Sequence, residues 1–445
     1  MSTNPLYANY QTLSPPAAAE TAALIDESYE RKTCRLCNDT CLVNVLQLTP
    51  TPPANAFLTE ERLAEREKLF PLELNFCKGC SHLQLSYVVS PEVLFRHYVY
   101  VSGTSTVMVQ HLKEYAQEAV SHIKLQKDDF IFEFGSNDGT LLSHFKDLGF
   151  DNVLGMDPAN NIAEVATTAG ITTMPDFFNF ESAMDVRNRF GTARLICANH
   201  CCAHIDDFQG IVRGVKELLA KNGIWIFEVG YLFNVLKDSL FDTIYHEHVD
   251  FHSVKPIRRF CLAQGLELLG ASVNCIQGGS LRCYVGWPGT SPNIKGGLDS
   301  VSDLVRAEAL AGLHSESVFL QWANSIDSAR EEVISLLKGL RAAGKLIAGF
   351  GAPAKATTLM YHFGITKDVI SFIVDDNPLK QGMFTPGLRI PVVDADQIYA
   401  KQPDYLIILA WNFAETIMRK HVKFLLSGGR FIVPLPELRV VKTLL

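Results

Sequence analysis

The densest cluster of titratable side chains in this chain is Tyr245-His246-Glu247-His248, with His252 just beyond it. A second histidine-bearing segment, Asn199-His200-Cys201-Cys202-Ala203-His204, lies upstream. Histidine is the side chain best suited to exchange protons near neutral pH, and a carboxylate beside it can orient the ring or raise its basicity. A phenol can donate a hydrogen bond to an oxyanion as it develops. Together these groups suit proton exchange with a bound ligand. A metal site is the competing reading for His246, His248, His252 and Glu247. No second group of carboxylates completes it, so a catalytic metal is not expected. For His246, His200 and His252 a structural role is at least as good a reading as a chemical one.

The next constellation is Phe132-Glu133-Phe134-Gly135-Ser136-Asn137-Asp138-Gly139-Thr140, a short apolar run that ends in a glycine turn and opens a helix. Gly135 and Gly139 permit a tight turn and close approach of backbone to a ligand. The spacing resembles E-x-G-x-x-x-G, the first motif of class I S-adenosylmethionine methyltransferases, and lacks the third glycine of the dinucleotide fingerprint. Asp157, followed by Pro158, stands about 20 residues further on, where an acid can accept hydrogen bonds from ribose hydroxyls. Asp138 in the turn could meet the amino-acid end of such a cofactor. Asp176-Phe177-Phe178 could flank its adenine, though two phenylalanines there are as easily core. With Glu133, Asn137 and Asn199, these residues form the expected cofactor set. The turn and the spaced acid do not by themselves separate a nicotinamide from S-adenosylmethionine.

Cys34-Arg35-Leu36-Cys37 and Cys77-Lys78-Gly79-Cys80 form two CxxC pairs. Two residues between thiolates let both reach one metal from a tight turn, and two such pairs complete a closed tetrahedral zinc site with no open position for catalysis. Gly79 suits the turn. A redox CxxC would follow a strand in a thioredoxin-like unit, which is absent here.

Elements must position these groups, and the chain is long enough for several domains: at 445 residues it exceeds the roughly 250–300 at which single cores stop growing. Short apolar runs at Phe130–Phe134, Val153–Met156, Leu195–Ala198 and Ile224–Val229 alternate with helical stretches such as Phe208–Leu219. This is the pattern of an α/β fold with a parallel sheet. Both histidine segments then follow carboxyl ends of strands, where open α/β sheets bind ligands. Leu298 to about Ala343 reads as helix. Lys345–Phe350, Val369–Val374, Tyr405–Ala410 and Arg430–Val433 read as strands of a second α/β unit. The expected division is a tail over 1–31, a zinc-binding domain over 32–95, a core over 96–297 and a C-terminal unit over 298–445.

Composition narrows the class. A net charge of -8 argues against nucleic acid as a main partner. No stretch of about 18 apolar residues or basic-then-apolar start is present, so no membrane span or export signal is expected. Eleven cysteines then read as reduced and the protein as cytoplasmic, with Cys197, Cys275 and Cys283 in apolar surroundings.

Taken together the motifs resemble the nucleotide-linked deoxysugar C-methyltransferase family. The likeness covers nearly the whole chain from Cys34. It includes both CxxC pairs, Tyr98-Val99-Tyr100-Val101-Ser102-Gly103-Thr104-Ser105, the Glu133–Gly139 turn and Tyr245-His246-Glu247-His248. It continues through Gly278-Gly279-Ser280-Leu281-Arg282, Gly349-Phe350-Gly351-Ala352-Pro353-Ala354-Lys355 and Val374-Asp375-Asp376-Asn377-Pro378. The resemblance implies a small zinc-binding N-terminal domain, a class I methyltransferase Rossmann-like core, and a second Rossmann-like domain that binds the nucleotide sugar. It implies S-adenosylmethionine and structural zinc as cofactors, a monomer or homodimer, and methylation at C3 of a 4-keto-6-deoxysugar. By position, His248 is the implied general base, His204 and Glu247 its partners, and Tyr245 a substrate contact. Tyr100 is the first choice for a further catalytic tyrosine, with Tyr98 second and otherwise expected at the cofactor. Arg282, Gly351, Ala352, Lys355, Asp375 and Asn377 are the implied substrate contacts, Lys355 as a point charge for phosphate. Gln277 departs from the family, where a histidine is expected. A nicotinamide-dependent nucleotide-sugar oxidoreductase and a non-enzymatic binding module are the alternatives.

Overall fold

The structure, a computed structural model, describes residues 28–96, 100–294 and 297–443. Strand Ile131–Phe134 is buried at every position, as a strand covered by helices on both faces must be. It lies inside a seven-stranded sheet in the order Glu267–Asn274, Ser280–Gly286, Leu219–Gly230, Ala193–Asn199, Ile131–Phe134, Val153–Met156, Thr173–Met174. All neighbours are parallel except Ser280–Gly286, which is antiparallel to both of its own. The chain reverses its direction of winding between Ile131–Phe134 and Ala193–Asn199. That switch point opens a crevice at the carboxyl ends of the strands.

The covering helices follow from spacing. Helix Phe208–Leu218 buries Phe208, Ile211, Val212, Val215 and Leu218, one face at helical period. Asp207 caps it, its side chain accepting from the Gly210 amide.

Two smaller sheets flank the core. Leu42–Thr51, Phe70–Cys77 and Leu83–Leu85 form an antiparallel sheet completed by Asp250–Phe251, a segment of the core that crosses over to pair with Leu83–Leu85. The C-terminal sheet runs Val392–Val393, Ile373–Val374, Ile347–Phe350, Tyr405–Ile408, Arg430–Val433, Arg439–Val441, parallel but for the last strand. One apolar cluster joins Leu46 and Phe76 of the first, Phe241 and Ile244 of the connecting loop, Phe350 of the second and Leu359 of helix Ala354–Phe363.

Several expectations change. The helical region from Leu298 is two helices, Gly297–Leu310 and Glu316–Ala342. The first packs on the core through Val301, and its buried Glu308 accepts from the Val254 and Lys255 amides and the Tyr231 hydroxyl. That helix is thus fastened to the core sheet, while Glu316–Ala342 packs against the C-terminal cluster. Residues 1–27 of the expected tail lie outside the described residues, but Tyr29–Glu30 pairs with Tyr87–Val88 and is held. All eleven cysteines are unpaired with one another by disulfides. Cys197 and Cys283 are buried as expected, whereas Cys275 is exposed at the turn before Ile276–Gly278. No helix among the described residues is long and apolar enough to cross a membrane.

Candidate active site

The four paired cysteines converge. Cys34 and Cys80 sulfurs are 3.6 Å apart, Cys37 and Cys77 sulfurs 3.5 Å, and all four lie within 4.8 Å of one another. Zinc–thiolate bonds of about 2.3 Å in a tetrahedron need sulfurs roughly 3.8 Å apart, so the set fits the ion. The two knuckles are alike: the Asn38 amide returns to Cys34 O and the Ser81 amide to Cys77 O, and Asn38 and Ser81 both adopt left-handed backbone. Gly79 leaves room for the Asp39 carboxylate, whose Oδ2 would stand 2.2 Å from a Cβ there.

The cofactor turn is tied down by its own side chains. Asp157 accepts from the Asn137 amide (2.8 Å) through one oxygen and the Ala159 amide (2.9 Å) through the other. Asn137 Oδ1 accepts from the Ser102 amide, Asn137 Nδ2 donates to Tyr100 O, and Asp138 accepts from the Gly103 amide. The Tyr100–Gly103 segment is thereby folded over the turn. Gly135, at φ 64, could not carry a side chain without meeting Cys201 at 2.6 Å. Glu133 Oε2 and Asn199 Oδ1 are buried without a hydrogen-bond partner, though Asn199 Nδ2 reaches the other Glu133 oxygen at 3.4 Å. Burial pushes the Glu133 carboxyl well above its usual range. Two buried polar atoms with no partner among the described residues, at a glycine turn, fit a ligand rich in hydroxyl and amino groups, which S-adenosylmethionine is. Of the two phenylalanines, Phe178 is core, stacked 4.4 Å from Phe134. Phe177 is half-buried with the Arg96 guanidinium 4.7 Å over its ring, and Arg96 also reaches Pro158 O.

The histidine segments meet across the crevice. The His204 and His248 rings stack at 5.1 Å, and Phe95 stacks on the other side of His204 at 5.5 Å. His248 Nδ1 donates to Thr243 O at 2.7 Å, which leaves Nε2 as the acceptor of the Tyr245 hydroxyl at 3.0 Å. Burial pulls His248 down to about 4 and His204 well below its ordinary value, so both rings are neutral. Asn55 donates to Glu247 Oε1 at 2.7 Å. Burial, then the Asp138 carboxylate, raises the Tyr100 pKa, and burial, then Glu247, raises that of Tyr245 well above the ordinary phenol value, so both hydroxyls keep their protons. Tyr98 lies outside the described residues.

His246 donates to Pro71 O, and His252 is buried in the same N-terminal interface, 5.6 Å from the His82 ring. His200 lies 3.6 Å from the buried Glu228, in a network with His111 and Asn274.

Two residues expected at the substrate are paired with carboxylates. Arg282 is buried, its guanidinium paired with Glu228 and Glu118 and lying over the Tyr115 ring. Lys355 is 3.4 Å from Asp242 and 4.7 Å from the Trp411 ring centre, and Trp411 Nε1 also donates to Asp242. In both cases a buried carboxylate, distant in sequence, takes the cation. Gly351, at φ 88, lets the turn approach Ala410, and the Ala352 amide donates to Asp375, which also accepts from the Asn377 amide. Gln277 is exposed in left-handed backbone.

Sequence reasoning missed Arg35, Asp206, Asp242 and Thr358. Thr358, on helix Ala354–Phe363, donates to Ile244 O at 2.7 Å and so holds the Tyr245–His248 loop from the C-terminal side. The available signal was charge or polarity inside apolar runs.

Family models match in the order of the three units. A zinc binding domain covers residues 34–95, a methyltransferase domain 108–270, and a C-methyltransferase C-terminal domain 275–436. The chain is 36% identical over 408 residues to the C-methyltransferase NovU of Streptomyces niveus, which covers 92% of this chain and 96% of that one. Among solved structures, a Synechocystis magnesium protoporphyrin IX methyltransferase with bound SAM is 11% identical over 41% of this chain and 81% of its own, at a TM-score of 0.31. A Clostridium acetobutylicum S-adenosylmethionine-dependent methyltransferase is 15% identical over 41% and 92%, at 0.33. The full-length match sets aside the oxidoreductase and binding-module alternatives. The chain belongs to the family of S-adenosylmethionine-dependent C-methyltransferases that join a zinc-binding domain, a methyltransferase domain and a C-methyltransferase C-terminal domain.

Proposed function

We propose that the protein methylates C3 of a nucleotide-linked 4-keto-6-deoxysugar, with His248 as general base. The observation that carries this reading is the neutral His248 ring, whose Nε2 lone pair is presented beside the Tyr245 hydroxyl and the His204 ring. Carbon becomes a nucleophile only after a proton leaves, and a neighbouring 4-keto group acidifies the hydrogen on C3. His248 Nε2 takes that proton while Thr243 O holds the opposite edge of the ring. Tyr245 first turns its hydroxyl from Nε2 to the 4-keto oxygen, which frees the lone pair for the C3 proton and leaves the phenol donating to the enolate oxygen as it forms. Tyr100 and the Glu133–Asp157 turn set the distance between the two halves of the site, so positioning supplies much of the acceleration. Bound S-adenosylmethionine supplies the electrophilic methyl group. Glu133, Asn199 and Asp157 would hold its polar groups.

Mass spectrometry on a panel of 4-keto-6-deoxysugar nucleotides tests the reading. A gain of one methyl group on the sugar, absent with His248→Ala, is the expected result. Full turnover by His248→Ala would remove the histidine from the base role. No methylation of any panel member would overturn the substrate.

A further inference from the structure

With Lys355 taken by Asp242, the cation left at the glycine-bearing turn of the C-terminal domain is Lys380. It follows strand Ile373–Val374 through a turn in which Asp375 and Asn377 accept from the backbone amides of Asn377 and Leu379. Its Nζ donates to Ala352 O at 2.7 Å and stands 4.9 Å from the centre of the Phe57 ring. Three segments meet there. The zinc-domain loop brings Asn55 and Phe57, the catalytic loop brings Glu247, and the C-terminal turn brings Ala352.

An ammonium has three donors, and the bond to Ala352 uses one. Among the described residues no carboxylate stands within ion-pair distance of it. Asp375 faces the amides of Ala352 and Asn377, and Glu247 takes the Asn55 amide. Burial pulls the Lys380 pKa down, against the opposing charges of Asp375 and Glu247. A half-buried cation with spare donors and no paired counter-ion is arranged to receive an anion. The strongly anionic group of a nucleotide-linked sugar is its diphosphate, which lies one bond from the sugar ring.

We propose that Lys380 anchors the substrate by its diphosphate, presenting the sugar ring to the Glu247–His248 side of the junction. This rests on the nucleotide-sugar reading above, and the subsite it names lies in the domain junction, not in the turn at Lys355.

Calorimetry on the zinc-loaded full chain tests it. The probes are inorganic pyrophosphate and the thymidine, guanosine and cytidine diphosphates, with S-adenosylhomocysteine as the folding control. The expected result is that the unaltered protein binds pyrophosphate and at least one nucleoside diphosphate. Lys380→Met should weaken both by about tenfold or more, Lys380→Arg should keep part of the affinity, and S-adenosylhomocysteine should bind all three alike. Diphosphate binding as tight in Lys380→Met as in the unaltered protein would overturn the assignment and leave the substrate class standing. Failure of the unaltered protein to bind any diphosphate while it binds S-adenosylhomocysteine would overturn both. Should Lys380→Met lose the control ligand, Lys380→Gln, which keeps a donor for Ala352, decides by the same criteria.

Discussion

Arg35 Nε lies 2.8 Å from Asp206 Oδ1, joining a residue between two zinc ligands to the turn that carries His204. The same buried guanidinium stands 3.9 Å from Asp250, two residues past His248, and donates to Leu85 O. His82 holds Asp250 as well, at 2.7 Å. One side chain inside a zinc knuckle thus sets the spacing of both histidine segments. Removing a partner from a buried ion pair typically costs about 3–5 kcal/mol. Arg35→Ala should lose stability on that order in urea unfolding, and a loss under about 1 kcal/mol would show the pairing to be incidental.

Zinc removal should act on the same joint. Chelation is expected to abolish methyl transfer, and hydrogen exchange should show the amides of residues 241–251 losing protection together with those around the cysteines. Unchanged protection in 241–251 would uncouple the metal from the catalytic loop.

The pH profile of turnover reads His248 directly. In the proposed role His248 works in its neutral form, and burial holds the ring at about 4. The rate should stay level as pH falls from about 8 to about 5 and decline only below that. A decline centred near 6.5 would mean a solvated ring.

Stability should show the opposite sensitivity. His246, His252 and His362 are also held at about 4, burial being the first cause for each, whereas unfolded histidines titrate near 6.5. Below about 6.5 the unfolded chain binds more protons than the native one. The contribution of these depressed groups is therefore complete above that value and is lost as pH falls toward 4. Urea midpoints should drop steadily from about pH 7 to about pH 5, and a constant midpoint would contradict this.

Thr358→Val removes the hydroxyl that holds Ile244 O and leaves the shape. It should cost about 1–3 kcal/mol, since a buried carbonyl loses its donor, and lower kcat while S-adenosylhomocysteine affinity stays as it was. Equal losses in both would place the effect in global folding.

Strand positions such as Val153–Met156 and Arg430–Val433 were legible in the sequence because short apolar runs bounded by turns leave few alternatives. His248 and Tyr245 were legible because they are contiguous. The partners of Arg282 and Lys355 were not legible for one physical reason: a cation's surroundings depend on the carboxylate nearest in space. Glu228 and Asp242 lie far away in the chain. Cys275 has apolar neighbours in sequence, but a turn carries it outward. Strand Asp250–Phe251 is too short to announce itself and exists only because Leu83–Leu85 offers it an edge.

That borrowed strand makes the N-terminal unit unable to complete itself. Its sheet stays open at Leu83–Leu85 until residues some 165 positions later have been synthesised and delivered, and an unpaired apolar edge is a template for wrong partners. The three units are therefore not interchangeable parts. A chimera that took its zinc unit from one relative and its catalytic loop from another would have to match them along this seam, so the two are bound to change together.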